Sequence, residues 1–168
     1  MPPPLRPAAA LAISCRAEAD EDGPFLEALY ASTRSGELAM TGWPEVQQRA
    51  FLTQQYQAQH AYYRTQYPDA EWLILERDGE PIGRLYLADG PTALRIIDVS
   101  LVPLARGQGT GAAIVADLIE AAAAAQKRVS LQVEKHNPAR RLYERLGFAA
   151  RADHGIYVEL ECRPDGAA

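Results

Sequence analysis

Apolar residues follow two rhythms along this chain. Alternation, or short apolar runs between turn residues, predicts strands over 10–17, 71–77, 81–88, 93–102, 128–134, 148–151 and 156–162. A period near 3.6 predicts helices. The first opens at Pro24 and carries Phe25, Leu26, Leu29 and Tyr30; the second runs over 45–67. The third follows Gly111 with Ile114, Val115, Leu118, Ile119 and Ala122, and the fourth carries Ala139, Leu142, Tyr143 and Leu146. Breaks are expected at Ser35-Gly36 and Thr41-Gly42, and tight turns at Asp78-Gly79 and around Asp153-His154-Gly155. Asn137-Pro138 is placed to cap and start the last helix, and Gly147 to end it. Along 93–102, Ile97, Val99 and Leu101 are expected on one face and Leu94, Ile96, Asp98 and Ser100 on the other, as in a central strand covered on both sides. The order βααβββαβαββ, without repeat or linker, predicts one mixed α/β layer structure.

Composition narrows the class. The chain has 168 residues, 48% apolar and 23% charged, which suits one globular domain. Acidic residues outnumber basic ones, 22 to 17, for a net charge of −5. That balance argues against a nucleic-acid-binding surface. Two cysteines, Cys15 and Cys162, cannot build a disulfide scaffold and match no metal-ligand spacing. No run approaches the roughly 18 apolar residues of a membrane span. The start resembles a signal peptide, but Pro and Arg6 confine its apolar stretch to Ala8–Ile13, short of a secretory core of about 7–15 residues. The expectation is a cytoplasmic protein with one domain over 9–163 and flexible ends at 1–8 and 164–168.

Candidate chemistry concentrates at Arg106-Gly107-Gln108-Gly109-Thr110-Gly111. Glycines at alternate positions let the backbone approach a ligand closely, and the helix that starts here offers unpaired N–H groups to a phosphate or pyrophosphate. Arg106 adds a fixed positive charge. A tight turn with no ligand would use the same glycines. A dinucleotide fold is excluded, because Pro103-Leu104-Ala105-Arg106 separates strand from glycines and the spacing is GxGxG. Only 34 residues follow Glu134, too few to complete such a sheet. A P-loop is excluded because no Gly-Lys-Ser/Thr follows.

The segment Val102-Pro103-Leu104-Ala105-Arg106-Gly107-Gln108-Gly109-Thr110-Gly111 resembles the R/Q-x-x-G-x-G/A acyl-CoA motif of the GNAT superfamily of N-acetyltransferases. Asn137-Pro138-Ala139-Arg140-Arg141-Leu142-Tyr143-Glu144-Arg145-Leu146-Gly147-Phe148 resembles that family's second signature, N-x-x-A-x-x-L-Y-E-x-L-G-F. Here Asn137 stands six residues before Tyr143, where the commoner pattern has seven. The element order fits the family from about Leu11 to Cys162, although the first half matches only in layout. The resemblance implies an α+β fold with a single, mostly antiparallel sheet flanked by helices.

It also implies acetyl-CoA as acyl donor, without a metal. Backbone of Val99, Ser100 and Leu101 would hold pantetheine. Arg106, Gly107, Gln108, Gly109, Thr110 and Gly111 would hold the pyrophosphate, with Asn137 near pantetheine. Tyr143 would protonate the leaving thiolate; spacing alone favours a core residue on an amphipathic helix, and the Leu142-Tyr143-Glu144-Arg145-Leu146-Gly147-Phe148 context is what points to the donor. Asp98 or Glu134 could accept the amine proton through a water, and each could instead pair with an arginine. Gln132 shares a face with Glu134 but cannot titrate, and His60, His136 and His154 receive no role. The implied activity is acetyl transfer to a primary amine of a small molecule or peptide, by direct attack in a ternary complex. No nucleic-acid or membrane partner is expected, and the protein would be a monomer or homodimer. The rival reading is a catalytically silent acyl-CoA-binding sensor.

Overall fold

The computed structural model describes residues 11–164, so the readings of 1–10 and of the tail beyond Pro164 fall outside the described residues. The elements are β1 (Ile13–Ala17), α1 (Gly23–Ala39), α2 (Glu45–Gln66), β2 (Glu71–Arg77), β3 (Glu80–Asp89), β4 (Ala93–Leu101), α3 (Thr110–Ala124), β5 (Arg128–Glu134), α4 (Ala139–Arg145), β6 (Ala149–Asp153) and β7 (Tyr157–Cys162). Short 3-10 turns sit at Asp20–Asp22 and Pro103–Ala105. The seven strands make one sheet in the order β1-β2-β3-β4-β5-β7-β6. Every neighbouring pair is antiparallel except β4–β5. This is the predicted architecture, a mostly antiparallel sheet with four helices.

The sheet buries apolar side chains on both faces. On one, Leu75, Leu85, Leu131 and Leu160 pack with Ile114 and Leu118 of α3. On the other, Ile74 packs with Leu26 and Tyr30 of α1 and Tyr56 of α2. Consecutive residues Leu73, Ile74 and Leu75 are therefore all buried, as a strand covered on both sides requires. The Asp78-Gly79 turn closes Arg77 onto Glu80. Both turn residues have positive φ, 52° and 79°, the geometry of a type I′ hairpin.

Two expectations are corrected. The chain does not break at Ser35-Gly36; α1 runs through it and stops before Gly42, whose φ is +71°. Gly36 tolerates helical geometry, and buried Leu38 anchors the next turn against the protein. Nor does β4 alternate cleanly. Tyr86 pairs with Asp98 but Leu87 with Ile96, so Ile97 is an extra residue in a β-bulge. The bulge turns Leu94 and Ile96 to the same core as Val99 and Leu101, and leaves Asp98 and Ser100 facing α2.

Glycines 36 and 83 give contrasting expectations. A Cβ on Gly36 meets nothing within 4 Å, so Gly36→Ala should stabilise α1 by about 0.5–1 kcal/mol. A Cβ on Gly83 would lie 2.2 Å from the Ser100 carbonyl oxygen and 2.9 Å from Leu101 Cδ2. Gly83→Ala should cost about 1–3 kcal/mol by pushing β4 away. Melting temperatures of the two variants should move in opposite directions.

Candidate active site

The parallel β4–β5 ladder ends where Ile96 meets Leu131. Beyond it β4 continues to Leu101 and β5 to Glu134. The two strands diverge there, and a cleft opens in the middle of the sheet. The facing edge of Val99, Ser100 and Leu101 belongs to this cleft, since their other edge is taken by β3 through Leu85, Arg84 and Gly83.

The glycine-rich bend begins just past the end of β4. Gly107 and Gly109 have φ of +71° and +78°, values that strain any side chain with a Cβ. A Cβ on either would meet nothing within 4 Å, so the backbone of the bend borders open space. Gly109 leads into α3, which starts at Thr110, and the Gly109 carbonyl accepts the Ala113 N–H at 3.0 Å. The first amides of α3 lack intrahelical partners, as in any helix, and concentrate the positive end of its dipole at the bend. Gly111 sits close enough to Leu101 for a Cβ to reach its Cδ1 at 4.0 Å.

The arginine at the bend is not the expected one alone. Arg106 folds back, its Nε donating to the Leu101 carbonyl at 2.9 Å and Nη2 to Ser32 Oγ of α1 at 3.1 Å. Arg77, from the end of β2, reaches the bend instead. Its Nη1 donates to Gln108 Oε1 at 3.1 Å and Nη2 to Thr110 Oγ1 at 2.9 Å. Thr110 is buried, and Gln108 is held by its own bond to the Leu104 carbonyl at 2.8 Å. Two guanidinium groups thus flank the loop.

Tyr143 stands on α4, half-buried, its ring packed edge-on to Phe148 at 5.6 Å between centroids. Burial raises its pKa above the ordinary tyrosine value, and the Asp98 charge adds to the shift. The hydroxyl is therefore protonated throughout the physiological range. Asn137 sits two residues before α4, where its Oδ1 accepts the Ala139 N–H at 2.9 Å in an Asx turn. The N-cap itself is Pro138, which has no side-chain capping bond, so the expected cap is displaced by one residue. Asn137 also lines a pocket of about 490 Å³ with Lys135, His136, Arg140 and Arg141.

The two candidate carboxylates differ. Asp98 forms an ion pair with Arg84 at 2.5 Å, with side-chain exposures of only 14% and 4%. Asp98 also accepts hydroxyl bonds from Ser100 at 2.7 Å and from Tyr63 of α2 at 3.3 Å. Glu134, at the end of β5, is exposed and forms no ion pair among the described residues.

The Acetyltransferase (GNAT) family model matches residues 37–148, more than half of the sequence. The chain belongs to the GNAT acetyltransferase family. No curated protein matches it. Among solved structures, this GNAT chain is similar to the PaiA N-acetyltransferase of Thermoplasma acidophilum in complex with coenzyme A. The TM-score is 0.64 at 19% identity, covering 90% of this chain and 98% of that one. It is also similar to a Vibrio cholerae SpeG–hSSAT spermidine N-acetyltransferase chimera, with a TM-score of 0.60 at 15% identity and coverages of 91% and 96%. RimL, a ribosomal alpha-N-protein acetyltransferase in complex with coenzyme A, gives 0.60 at 16% identity, with 93% and 96% covered. At such identities the likeness is one of fold.

In this GNAT chain β4 runs towards the glycine bend, Tyr143 packs on the same core as Val99 and Leu101 and feels the Asp98 charge, and Glu134 ends the neighbouring strand β5. Sequence reasoning did not single out Arg77, Arg84, Gln59 or Tyr63. Arg84 Nη2 donates to Gln59 Oε1 of α2 at 2.7 Å as well as to Asp98, so the guanidinium ties α2 to the strand beside the cleft. Alternation along β3 would have put Arg84 on the polar face, but no spacing names its partner. Among the described residues no helix is long and apolar enough to cross a membrane, and no cluster of three metal-ligating side chains is found.

Proposed function

We propose that the protein is an acetyl-CoA-dependent N-acetyltransferase, which transfers the acetyl group to a primary amine by direct attack in a ternary complex. The observation that carries this reading is the juxtaposition of the diverging β4–β5 edges with the glycine bend. In it, the backbone of Val99, Ser100 and Leu101 pairs with pantetheine as an added strand would. A backbone N–H there faces the thioester oxygen and stabilises the oxyanion of the tetrahedral intermediate. The amides from Gly107 to Gly111 hold the pyrophosphate at the start of α3. Arg77, Arg106 and the side chains of Gln108 and Thr110 support that loop. Asn137 borders the pantetheine path.

In the transfer step the amine nitrogen bonds to the acetyl carbon and the carbon–sulfur bond breaks. Tyr143 gives its proton to the departing thiolate. From an unperturbed tyrosine to a thiol near 8.5 this is uphill by about 2 kcal/mol, and each further pKa unit adds about 1.4 kcal/mol. In return the donor stays protonated at the alkaline pH where free amine is abundant. Asp98, neutralised by Arg84 and already accepting two hydroxyls, is poorly placed to take the amine proton. The base assigned is Glu134, acting through a water. The domain spans 9–163. Its two free thiols, Cys15 and Cys162, suit a cytoplasmic protein.

Acetyl-CoA should stabilise the fold by about 2.7 kcal/mol when free ligand reaches a hundred times its dissociation constant, and NAD or ATP much less. Gly109→Val should abolish the shift, since valine cannot hold the φ of +78°. An unchanged thermal shift in that variant would remove the bend from the cofactor site. Product formation with a panel of amines separates the enzyme from a silent sensor, which would bind CoA and turn nothing over.

A further inference from the structure

We infer that the acceptor is a cationic aliphatic amine, whose positive charge is received by Glu134 and the rings of Tyr63 and Tyr157 at the mouth of the β4–β5 cleft. The inference rests on reading that cleft as the transfer site. Val133 is buried in the core under α3, so its neighbour Glu134 projects from the opposite face, the face that carries Asp98 and α2. Glu134 stands directly across the β5–β7 ladder from Tyr157, which puts the two side chains next to each other on that face. Tyr157 is 45% exposed. Tyr63 crosses the same face from α2 and is held there by its bond to Asp98. Tyr63 and Tyr157 are also electrostatic neighbours: Tyr157 adds to the upward pKa shift that burial and Asp98 give Tyr63.

Charge accounting on this face selects Glu134. Asp98 is neutralised by Arg84, Glu159 pairs with Arg95, and Glu161 pairs with Arg128 and Arg151. Of the carboxylates on β5 and β7, Glu134 alone makes no ion pair among the described residues. An uncompensated carboxylate beside two tyrosine rings favours an ammonium ion through charge and ring-face attraction. It disfavours an acceptor that carries a carboxylate of its own. The same carboxylate then lies next to the nitrogen that must lose a proton.

The test is calorimetric titration of the protein saturated with CoA, which binds without turnover. The probes are cadaverine, 1,5-pentanediol as its uncharged analogue, and glutamate as an amine of net negative charge. Cadaverine should bind; the diol and glutamate should not at the same concentrations. Glu134→Gln should weaken cadaverine by roughly tenfold or more, the effect of one charged contact, and Tyr157→Ala by a smaller factor. Glu120→Gln, an exposed carboxylate on α3 across the sheet, should change nothing. Failure of cadaverine to bind the CoA complex overturns the inference, as does an unchanged affinity in Glu134→Gln. Equal binding of glutamate, or an equal loss in Glu120→Gln, overturns it by showing attraction without a site. Failure of CoA itself to bind is a separate result, which removes the transfer site and this inference with it.

Discussion

Tyr143→Phe should retain the fold and the affinity for acetyl-CoA while losing turnover by roughly 10²–10⁴, the usual contribution of one positioned acid. Phenylalanine keeps the ring and its edge-on contact with Phe148, so packing is preserved and only the hydroxyl is removed. If Tyr143 served packing alone, activity would be unaffected and the melting temperature would carry whatever change there is. The pH profile adds a second criterion. Burial, and then the Asp98 charge, raises the Tyr143 pKa; a raised pKa keeps the donor protonated to higher pH. The alkaline limb of kcat should therefore lie above the ordinary tyrosine value of about 10, in the wild type and not below it. Wild-type turnover in the Phe variant, with its melting temperature alongside, would retire the donor role.

What the sequence made legible was contiguous. Arg106 to Gly111 and Asn137 to Phe148 carry their spacing within a dozen residues, and the strand and helix rhythms gave each element to within a few positions. The Ser35-Gly36 break failed because a glycine is only weakly unfavourable inside a helix, about 1 kcal/mol, and buried Leu38 outweighs it. The facing of β4 failed for another reason. A bulge is a mismatch between two strands, Tyr86 to Asp98 against Leu87 to Ile96, and neither strand shows it alone. The site's supporting groups were hidden by distance along the chain. Arg77 reaches Thr110 from β2, and Tyr63 and Gln59 reach Asp98 and Arg84 from α2. Nothing local in the sequence announces a contact made by the sheet's order. The same is true of the cleft, which exists because β4 and β5 part after Ile96.

Arg84→Met should be the most destabilising of these substitutions, by about 3–5 kcal/mol, because it leaves the Asp98 carboxylate buried without its cation. Methionine fills much of the volume, so the loss is electrostatic more than steric. The guanidinium is 4% exposed, lies over the Tyr86 ring at 4.9 Å, and has its Nε without a hydrogen-bond partner. The arginine is thus costly to bury, and its hydrogen bonds to Asp98 and Gln59, with the Tyr86 ring beneath it, offset that cost. The pair is not worth its full attraction, since a well-packed neutral pair can be as stable. Arg84→Met combined with Asp98→Asn should accordingly recover most of the lost stability, a non-additivity expected of residues in direct contact. Chemical denaturation of the two single variants and the double variant measures it. Additive losses would show that Arg84 and Asp98 stabilise the protein independently. Recovery of stability without recovery of turnover would show the charge pair acting on the site, by holding Tyr63 and Ser100 against the cleft through Asp98.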